Sequence, residues 1–235
     1  MKTLYCYCTL LIFSAVCFSS CNEKPKVHNI TIVYDLTEEH FKGIAMSEFK
    51  KVSALTKNSM NGELTRLVPI TELGFNRSYD VVIQKDSNLL MGNDYERTDL
   101  VNEYFSKIDS CLKFIIGDKH DRSGSVIFKV LTEELNRLSE STADSKTAIF
   151  NTDFMEKSFV NFYDTATMNV IRKHPDEMRK RLLKKYPLKQ LQGIDIYFVY
   201  LPKDTVDSNR YEALSLFYKR MFESFGAKVH IVGTI

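Results

Sequence analysis

Two spacings of apolar side chains alternate along the chain, one typical of strands and one typical of helices. Short β-branched runs at Asn29–Asp35 (NITIVYD) and Lys146–Phe150 (KTAIF) predict buried central strands. Residues 40–57 and 98–116 instead place apolar side chains three and four positions apart, as amphipathic helices do. This alternation predicts an α/β domain.

Between these segments the pattern predicts a strand pair and a further helix. Gly62–Thr71 and Ser78–Lys85 are separated by a turn containing glycine and asparagine, which favours an antiparallel pair at the edge of a sheet. Pro69 favours an edge position as well, because proline donates no backbone hydrogen bond. Ser125–Leu138 is predicted to be helical, with Ser125 as the N-cap.

The last third of the chain continues the alternation. Helices are predicted at Thr165–Tyr186 and Asn209–Phe225, and strands at Ile194–Leu201 and Lys228–Val232. The whole pattern predicts a doubly wound, mostly parallel sheet with one antiparallel edge strand and helices on both faces. An apolar and aromatic stripe on the last helix is interpreted as core packing rather than a binding face. Its members are Tyr211, Leu214, Phe217, Tyr218, Met221, Phe222 and Phe225.

The first 21 residues predict where the protein is located. Lys2 precedes a short apolar run and the small residues before Cys21, which is the layout of a secretory signal. The end of this segment resembles a bacterial lipobox, although Phe18 replaces the usual leucine. That resemblance implies cleavage after residue 20 and a lipid on Cys21, with an uncleaved N-terminal membrane helix as the alternative. Residues 1–20 are then a signal peptide, residues 21–28 a lipidated tether, and residues 29–235 a single domain.

Composition limits the kinds of partner, and the disulfides, that we expect for this protein. Acidic and basic residues nearly balance at a formal net charge of +2, and an exported lipoprotein is not expected to bind nucleic acid. Arg172–Lys189 is the most basic stretch, and we interpret it as a solvated helix rather than a contact with anionic headgroups. Cleavage leaves Cys111 without an intramolecular partner, so it is expected to be a buried thiol.

Two of the predicted strands lead to an aspartate: Asp35 ends the first, and Asp153 lies in the loop that follows Lys146–Phe150. In open α/β sheets, ligands bind beyond the carboxyl ends of the strands where the chain reverses direction across the sheet. If the antiparallel pair lies to one side of the first strand and the later strands lie to the other, the loops after these aspartates meet there. Ser125, at the start of a helix, is expected beside them.

These loops resemble those of the von Willebrand factor type A domains, whose fold is Rossmann-like. Residues 35–39 (DLTEE) correspond to the DxSxS loop of that family, with Thr37 in place of the first serine. Gly124-Ser125 resembles the family's glycine-threonine turn. Thr152-Asp153 resembles its TDG loop, with Phe154 at the glycine position.

The resemblance implies a divalent cation, Mg²⁺ or Mn²⁺, held by hard oxygen ligands. The implied ligands are Asp35, Thr37, Ser125 and Asp153, with Glu38 and Glu39 as accessory residues. Glu39 departs from the family, because its longer charged side chain must ligate the ion, turn outward, or occupy the ion's place.

A non-catalytic binding module is the function that the sequence favours: a lipid-anchored domain of the bacterial cell envelope, at the outer membrane or the periplasmic face, which binds a protein at this crevice. One alternative is a metal-dependent hydrolase that uses Asp35, Glu38, Glu39 and Asp153. No GxSxG, HExxH or phosphate-binding glycine loop accompanies that acidic cluster. The other alternative is a structural envelope protein with a vestigial site.

Overall fold

A computed structural model describes residues 24–37, 43–56, 59–70, 76–86, 94–117 and 124–235. Within these ranges the chain forms six strands and six helices. The strands are β1 (Val27–Asp35), β2 (Gly62–Ile70), β3 (Tyr79–Ile83), β4 (Ser145–Asn151), β5 (Ile194–Val199) and β6 (Lys228–Val232). The helices are α1 (Met46–Val52), α2 (Asp94–Gly117), α3 (Ile127–Glu140), α4 (Thr165–Lys173), α5 (Pro175–Lys185) and α6 (Thr205–Ser224).

All six strands belong to one sheet in the order β3-β2-β1-β4-β5-β6. Every neighbouring pair is parallel except β2 and β3, which are antiparallel. The mostly parallel sheet with one antiparallel edge strand is therefore confirmed. The chain moves outward from β1 to β3 and then returns to β4 on the other side of β1, so the switch point lies between β1 and β4.

Two apolar cores cover the two faces of the sheet. Val33 and Phe150 face α3, α4, α5 and α6 in one core, whereas Ile32 and Ile149 face α1 and α2 in the other. Because side chains alternate along a strand, each central strand contributes to both cores. Helices on both faces make the fold doubly wound, as the sequence predicted.

The aromatic stripe of α6 lies inside the larger core. Tyr218 and Phe222 are fully buried, and Phe225 is partly buried against the same cluster. Tyr218 stacks at 6.0 Å from Phe128 of α3, measured between ring centroids. The core-packing interpretation is confirmed.

Several predicted helices have different bounds in the structure. Among the described residues of the helix expected at 40–57, only Met46–Val52 is helical. The helix expected at Thr165–Tyr186 is broken at His174, because Pro175 occupies the first turn of α5 and lacks the N–H that a continuous helix needs. The last helix begins at Thr205 rather than Asn209. The Asp204 carboxylate accepts a hydrogen bond from the backbone N–H of Asp207 and so caps the earlier start.

Pro69 does not lie on an edge strand, since β2 is flanked by β1 and β3. The pairing with β3 ends at Leu67 and Tyr79, so the part of β2 that contains Pro69 is paired with β1 alone. A proline is tolerated there because no ladder with β3 requires its missing N–H.

The described helices include none that is long and apolar enough to cross a membrane. The predicted signal peptide and Cys21 lie outside the described residues.

Candidate functional site

Asp35 joins the two central loops at the carboxyl edge of the sheet. Its side chain is buried, and Oδ1 accepts hydrogen bonds from the Thr37 hydroxyl at 2.5 Å and from the Thr37 backbone N–H at 3.1 Å. Oδ2 accepts a hydrogen bond from the Thr152 hydroxyl, in the loop after β4, at 2.7 Å. One carboxylate therefore holds the β1 and β4 loops together at the switch point.

The loop after β4 has an unusual backbone. Phe154 has a φ of 63°, in the left-handed region that a bulky residue rarely occupies. Two hydrogen bonds brace the turn: the Phe154 N–H donates to the Thr152 hydroxyl oxygen, and the Met155 N–H donates to the Asp153 carboxylate. The Phe154 ring is fully buried, 4.7 Å from Phe198 and 4.9 Å from Tyr218 between ring centroids. Strain of this kind persists only where the surrounding structure imposes it.

Ser125 is not the N-cap of α3, contrary to the sequence prediction. The N-cap is Val126, and the backbone of Ser125 pairs in an isolated antiparallel bridge with Lys157. The cap comes from the carboxylate of Glu156, which accepts a hydrogen bond from the Phe128 N–H at 2.7 Å. When Glu156 is ionised, its charge also complements the helix dipole.

Glu156 and Ser125 are among the unusual polar groups of this region. Glu156 is fully buried, and this burial, with a smaller contribution from the nearby Asp35 charge, raises its pKa from 4.5 to about 7. The Ser125 hydroxyl is buried and has no hydrogen-bond partner among the described residues. Buried polar groups without partners are uncommon in native proteins. The carboxyl edge thus combines a perturbed acid, an unsatisfied hydroxyl and a strained turn.

A cleft of about 600 Å³ opens beside these loops, and we call it the main cleft. Thr37 and Asp153 line it, so the two central loops meet at its wall. Other lining residues come from the segment after β4 and from the start of α6. They include Lys157, Asn161, Tyr163, Lys203, Val206 and Arg210.

The donor set is chemically suited to a hard divalent cation. Asp35, Thr37, Asp153 and Ser125 offer carboxylate and hydroxyl oxygens, which Mg²⁺ and Mn²⁺ accept. The buried Ser125 hydroxyl, left without a hydrogen-bond partner, fits such a role. Nowhere in the described ranges do three His, Cys, Asp or Glu side chains converge as metal ligands. Two of the four predicted ligands are hydroxyls, so the absence of such a cluster does not test the predicted set. Metal binding stays a prediction.

The predicted site residues differ in how closely they associate. Asp35 contacts Thr37 directly, and it reaches the Asp153 loop through Thr152. Ser125 is linked to the main cleft through the backbone of Lys157. Glu38 and Glu39 lie outside the described residues.

Sequence reasoning did not identify Glu156 or Arg210 as parts of this region. It placed Thr152 in the TDG-like loop beside Asp153 but gave its side chain no role. Glu156 and Arg210 carried no such indication, because an isolated charged residue in a loop or helix normally faces solvent.

No protein-family model matches this chain, and no curated protein matches it.

Proposed function

We propose that this protein is a lipid-anchored component of the bacterial cell envelope whose α/β domain binds another protein at the main cleft. One observation carries the proposal: Thr37 and Asp153, from the loops on the two sides of the switch point, line the same cleft. This is the position where open α/β sheets bind their ligands.

The surface around the main cleft has the side chains that protein interfaces favour. Tyr163 and Val206 are each more than half exposed and lie beside Arg210. Aromatic and arginine side chains are enriched at the energetic centres of interfaces, where they combine apolar area with directional hydrogen bonds. Exposed groups of both kinds next to a braced loop support binding rather than a purely structural role.

Strand direction supports a cleft that faces away from the membrane. The nine residues of β1 span about 30 Å. Its amino end follows the tether, and its carboxyl end carries Asp35. A lipid on Cys21 would therefore hold the opposite end of the sheet near the bilayer and leave the main cleft accessible to a partner.

The von Willebrand type A resemblance adds a divalent cation to the proposal. Asp35, Thr37, Ser125 and Asp153 would hold Mg²⁺ or Mn²⁺, with Glu38 and Glu39 as accessory residues. When bound, such an ion would offer a coordination position to a carboxylate of the partner protein.

Metabolic labelling tests the anchor. Cells fed an alkyne analogue of palmitate are expected to label the wild-type protein and not the Cys21→Ala variant. Cys17→Ala is the matched control, because it lies within the predicted signal peptide and should keep the label. Labelling that survives Cys21→Ala would contradict the anchor.

Photo-cross-linking in intact cells tests the binding surface. A photoreactive amino acid in place of Val206, at the main cleft, is expected to form an adduct with another protein. The same group in place of Val82, which is similarly exposed but lies on the edge strand β3, is expected to form none. Adducts at residue 82 alone, or at neither position, would contradict binding at the cleft.

Calorimetry with Mn²⁺ on the full chain in detergent tests the cation. Asp35→Asn is expected to abolish binding, whereas Asp109→Asn, on the exposed surface of α2, is expected to leave it unchanged. Absence of heat from the wild type, together with an unchanged melting temperature, would remove the cation from the proposal and leave protein binding in place.

A further inference from the structure

A second, smaller pocket of about 260 Å³ adjoins the main cleft, and we call it the outer pocket. It shares Tyr163, Val206 and Arg210 with the main cleft and adds Met168 and Arg172. The two pockets therefore form one continuous groove that begins at Thr37 and Asp153 and ends at Arg172.

Two helices that pack against each other build the outer pocket. Arg172 lies in the last turn of α4, and Arg210 lies near the start of α6. Between them, buried Met168 provides an apolar surface, and Tyr163 and Val206 provide exposed apolar walls. The result is a small cavity that combines apolar walls with two guanidinium groups.

The charges of the two pockets differ. In the main cleft, three cationic side chains are accompanied by the carboxylates of Asp153, Asp204 and Asp207. The lining of the outer pocket contains both arginines and no carboxylate. Asp164 directly precedes Thr165, which lines the outer pocket. The Asp164 carboxylate accepts hydrogen bonds from the backbone N–H and the hydroxyl of Thr167. The outer pocket is thus the cationic end of the groove.

Neither Arg172 nor Arg210 has a carboxylate partner in the parts of the chain that the structure describes. Other arginines of the domain do: Arg66, Arg137 and Arg179 each lie within 3.2 Å of a carboxylate oxygen. An arginine that lines a pocket without a partner retains all its donors for a planar anion, which it binds in a bidentate manner.

We propose that the outer pocket binds an acidic side chain of the partner protein, within a segment that also carries apolar residues. The inference rests on the proposed function and adds the chemistry of the partner to it. Arg172 and Arg210 would bind the carboxylate, while Met168, Tyr163 and Val206 would contact the apolar stem and its neighbours.

A protein segment fits this pocket better than an anionic membrane surface does. Both arginines are exposed, but they border a pocket with apolar walls, which suit the apolar neighbours of an acidic side chain. Contact with headgroups requires only an exposed basic face. The pocket also adjoins the carboxyl edge of the sheet, which the tether would place away from the anchoring bilayer.

The test is fluorescence anisotropy with three labelled peptides of twelve residues. The peptides share the same leucine and tyrosine positions and carry glutamate, glutamine or lysine at the remaining positions. The full chain in detergent is expected to bind the glutamate peptide about tenfold more tightly than the glutamine peptide at low salt. The preference should shrink as the salt concentration rises.

Charge reversal assigns the preference to the outer pocket. The double variant Arg172→Glu/Arg210→Glu is expected to prefer the lysine peptide instead. The milder Arg172→Gln/Arg210→Gln is expected to lose the preference altogether. Arg179→Glu, on the exposed surface of α5, is the matched control and should behave as the wild type. Circular dichroism spectra of all variants should be the same as that of the wild type.

Three results would overturn the acidic subsite. The first is equal binding of the glutamate and glutamine peptides, and the second is no binding at millimolar peptide. The third is binding to phosphatidylglycerol vesicles that requires both arginines, without any peptide preference.

Cross-linking at Val206 distinguishes these failures from failure of the proposed function. Adducts at Val206 without a glutamate preference would reject the acidic subsite and leave protein binding standing. Loss of the adducts and of the peptide preference together would reject both.

Discussion

The two ends of the central sheet both contain a buried carboxylate, but their surroundings differ. At the amino end, Glu63 lies in the first residues of β2 and accepts hydrogen bonds from the Ser53 hydroxyl, the Ala54 N–H and the Tyr104 hydroxyl, each at 2.9 Å. Tyr104 also bonds to the Thr65 hydroxyl at 2.6 Å. This network is closed within the core, and its satisfied groups serve packing.

At the carboxyl end, Asp35 is equally buried, but it lies near a strained turn and an open cleft. The Ser125 hydroxyl has no partner among the described residues, Phe154 has a strained backbone, and burial raises the pKa of Glu156 to about 7. A cleft opens directly beside them. Buried polar atoms without a partner also occur at the amino end, where His28 Nε2 and Asn29 Oδ1 have none among the described residues, and burial raises the pKa of Glu63 as well. The strained turn and the adjacent cleft are therefore what distinguishes the carboxyl end, and both are expected of a preformed binding surface.

The largest expected effect concerns Phe154 at the carboxyl end. Phe154→Ala should lower the free energy of unfolding by about 4 kcal/mol, because a fully buried ring is lost. Phe154→Gly should be less damaging than Ala by about 1 kcal/mol, because glycine adopts a φ of 63° without strain. Urea unfolding of both variants measures the difference.

Phe198 in β5 is the control for this prediction. It is as buried as Phe154 and lies on the same core, but within a regular strand. Phe198→Gly should lower the free energy of unfolding by about 0.5–1 kcal/mol more than Phe198→Ala does. The same order of stability at both positions would show that the turn at Phe154 carries no strain.

The next effect concerns the amino end. Glu63→Ala should lower the free energy of unfolding by about 3 kcal/mol, because buried donors of Ala54 and Tyr104 lose their acceptor. If the amino end is purely structural, cross-linking from Val206 should continue in this variant at temperatures where it remains folded. Loss of adducts in a folded Glu63→Ala protein would erase the contrast between the two ends.

Glu156 gives the carboxyl end a pH dependence. The folded protein holds a proton on Glu156 up to about pH 7, whereas an ordinary glutamate loses it near 4.5. The folded state therefore binds the extra proton between these values. The Glu156 contribution should reduce the free energy of unfolding by about 3 kcal/mol as the pH rises from 4.5 past 7.

Glu156→Gln keeps an acceptor for the α3 cap but cannot ionise. Its free energy of unfolding should therefore lack this decrease of about 3 kcal/mol with rising pH. The measurement is chemical unfolding between pH 4.5 and 8. Glu133→Gln, on the exposed side of α3, should keep the wild-type slope. Equal slopes in the wild type and Glu156→Gln would mean that Glu156 titrates normally.

The smallest effect on stability is expected in the outer pocket. Arg210→Gln should change the free energy of unfolding by less than about 0.5 kcal/mol, because its side chain is exposed and has no carboxylate partner in the described structure. Thermal unfolding measures this change. A large loss of stability would assign Arg210 a structural role rather than a binding one.

Much of the fold was predictable because the central strands are strongly apolar and lead into acidic loops. The runs before Asp35 and after Lys146 predicted parallel central strands, and the turn before Ser78 predicted the antiparallel edge. The position of the switch point followed from that order. These features depend on local patterns that the buried sheet reinforces.

The errors arose where a distant part of the chain determines local structure. Ser125 has the residue type of an N-cap, but Glu156 provides the cap instead, through a hydrogen bond to Phe128, which lies 28 positions earlier in the chain. Apolar periodicity continued across Pro175 although the helix does not, because the two helices pack on the same core. The outer pocket was not predicted, because only the tertiary fold brings Arg172 and Arg210 together.

The most direct measurement places the Val206 photo-cross-linker in three backgrounds: wild type, Asp35→Asn and Glu63→Gln. Asp35→Asn removes an acceptor that holds the Thr37 and Thr152 loops, whereas Glu63→Gln alters the closed network at the opposite end. At a temperature where all three are folded, adducts should fall sharply in Asp35→Asn and persist in Glu63→Gln. Equal adduct yields in both variants, whether lost or retained, would contradict a binding role specific to the carboxyl end.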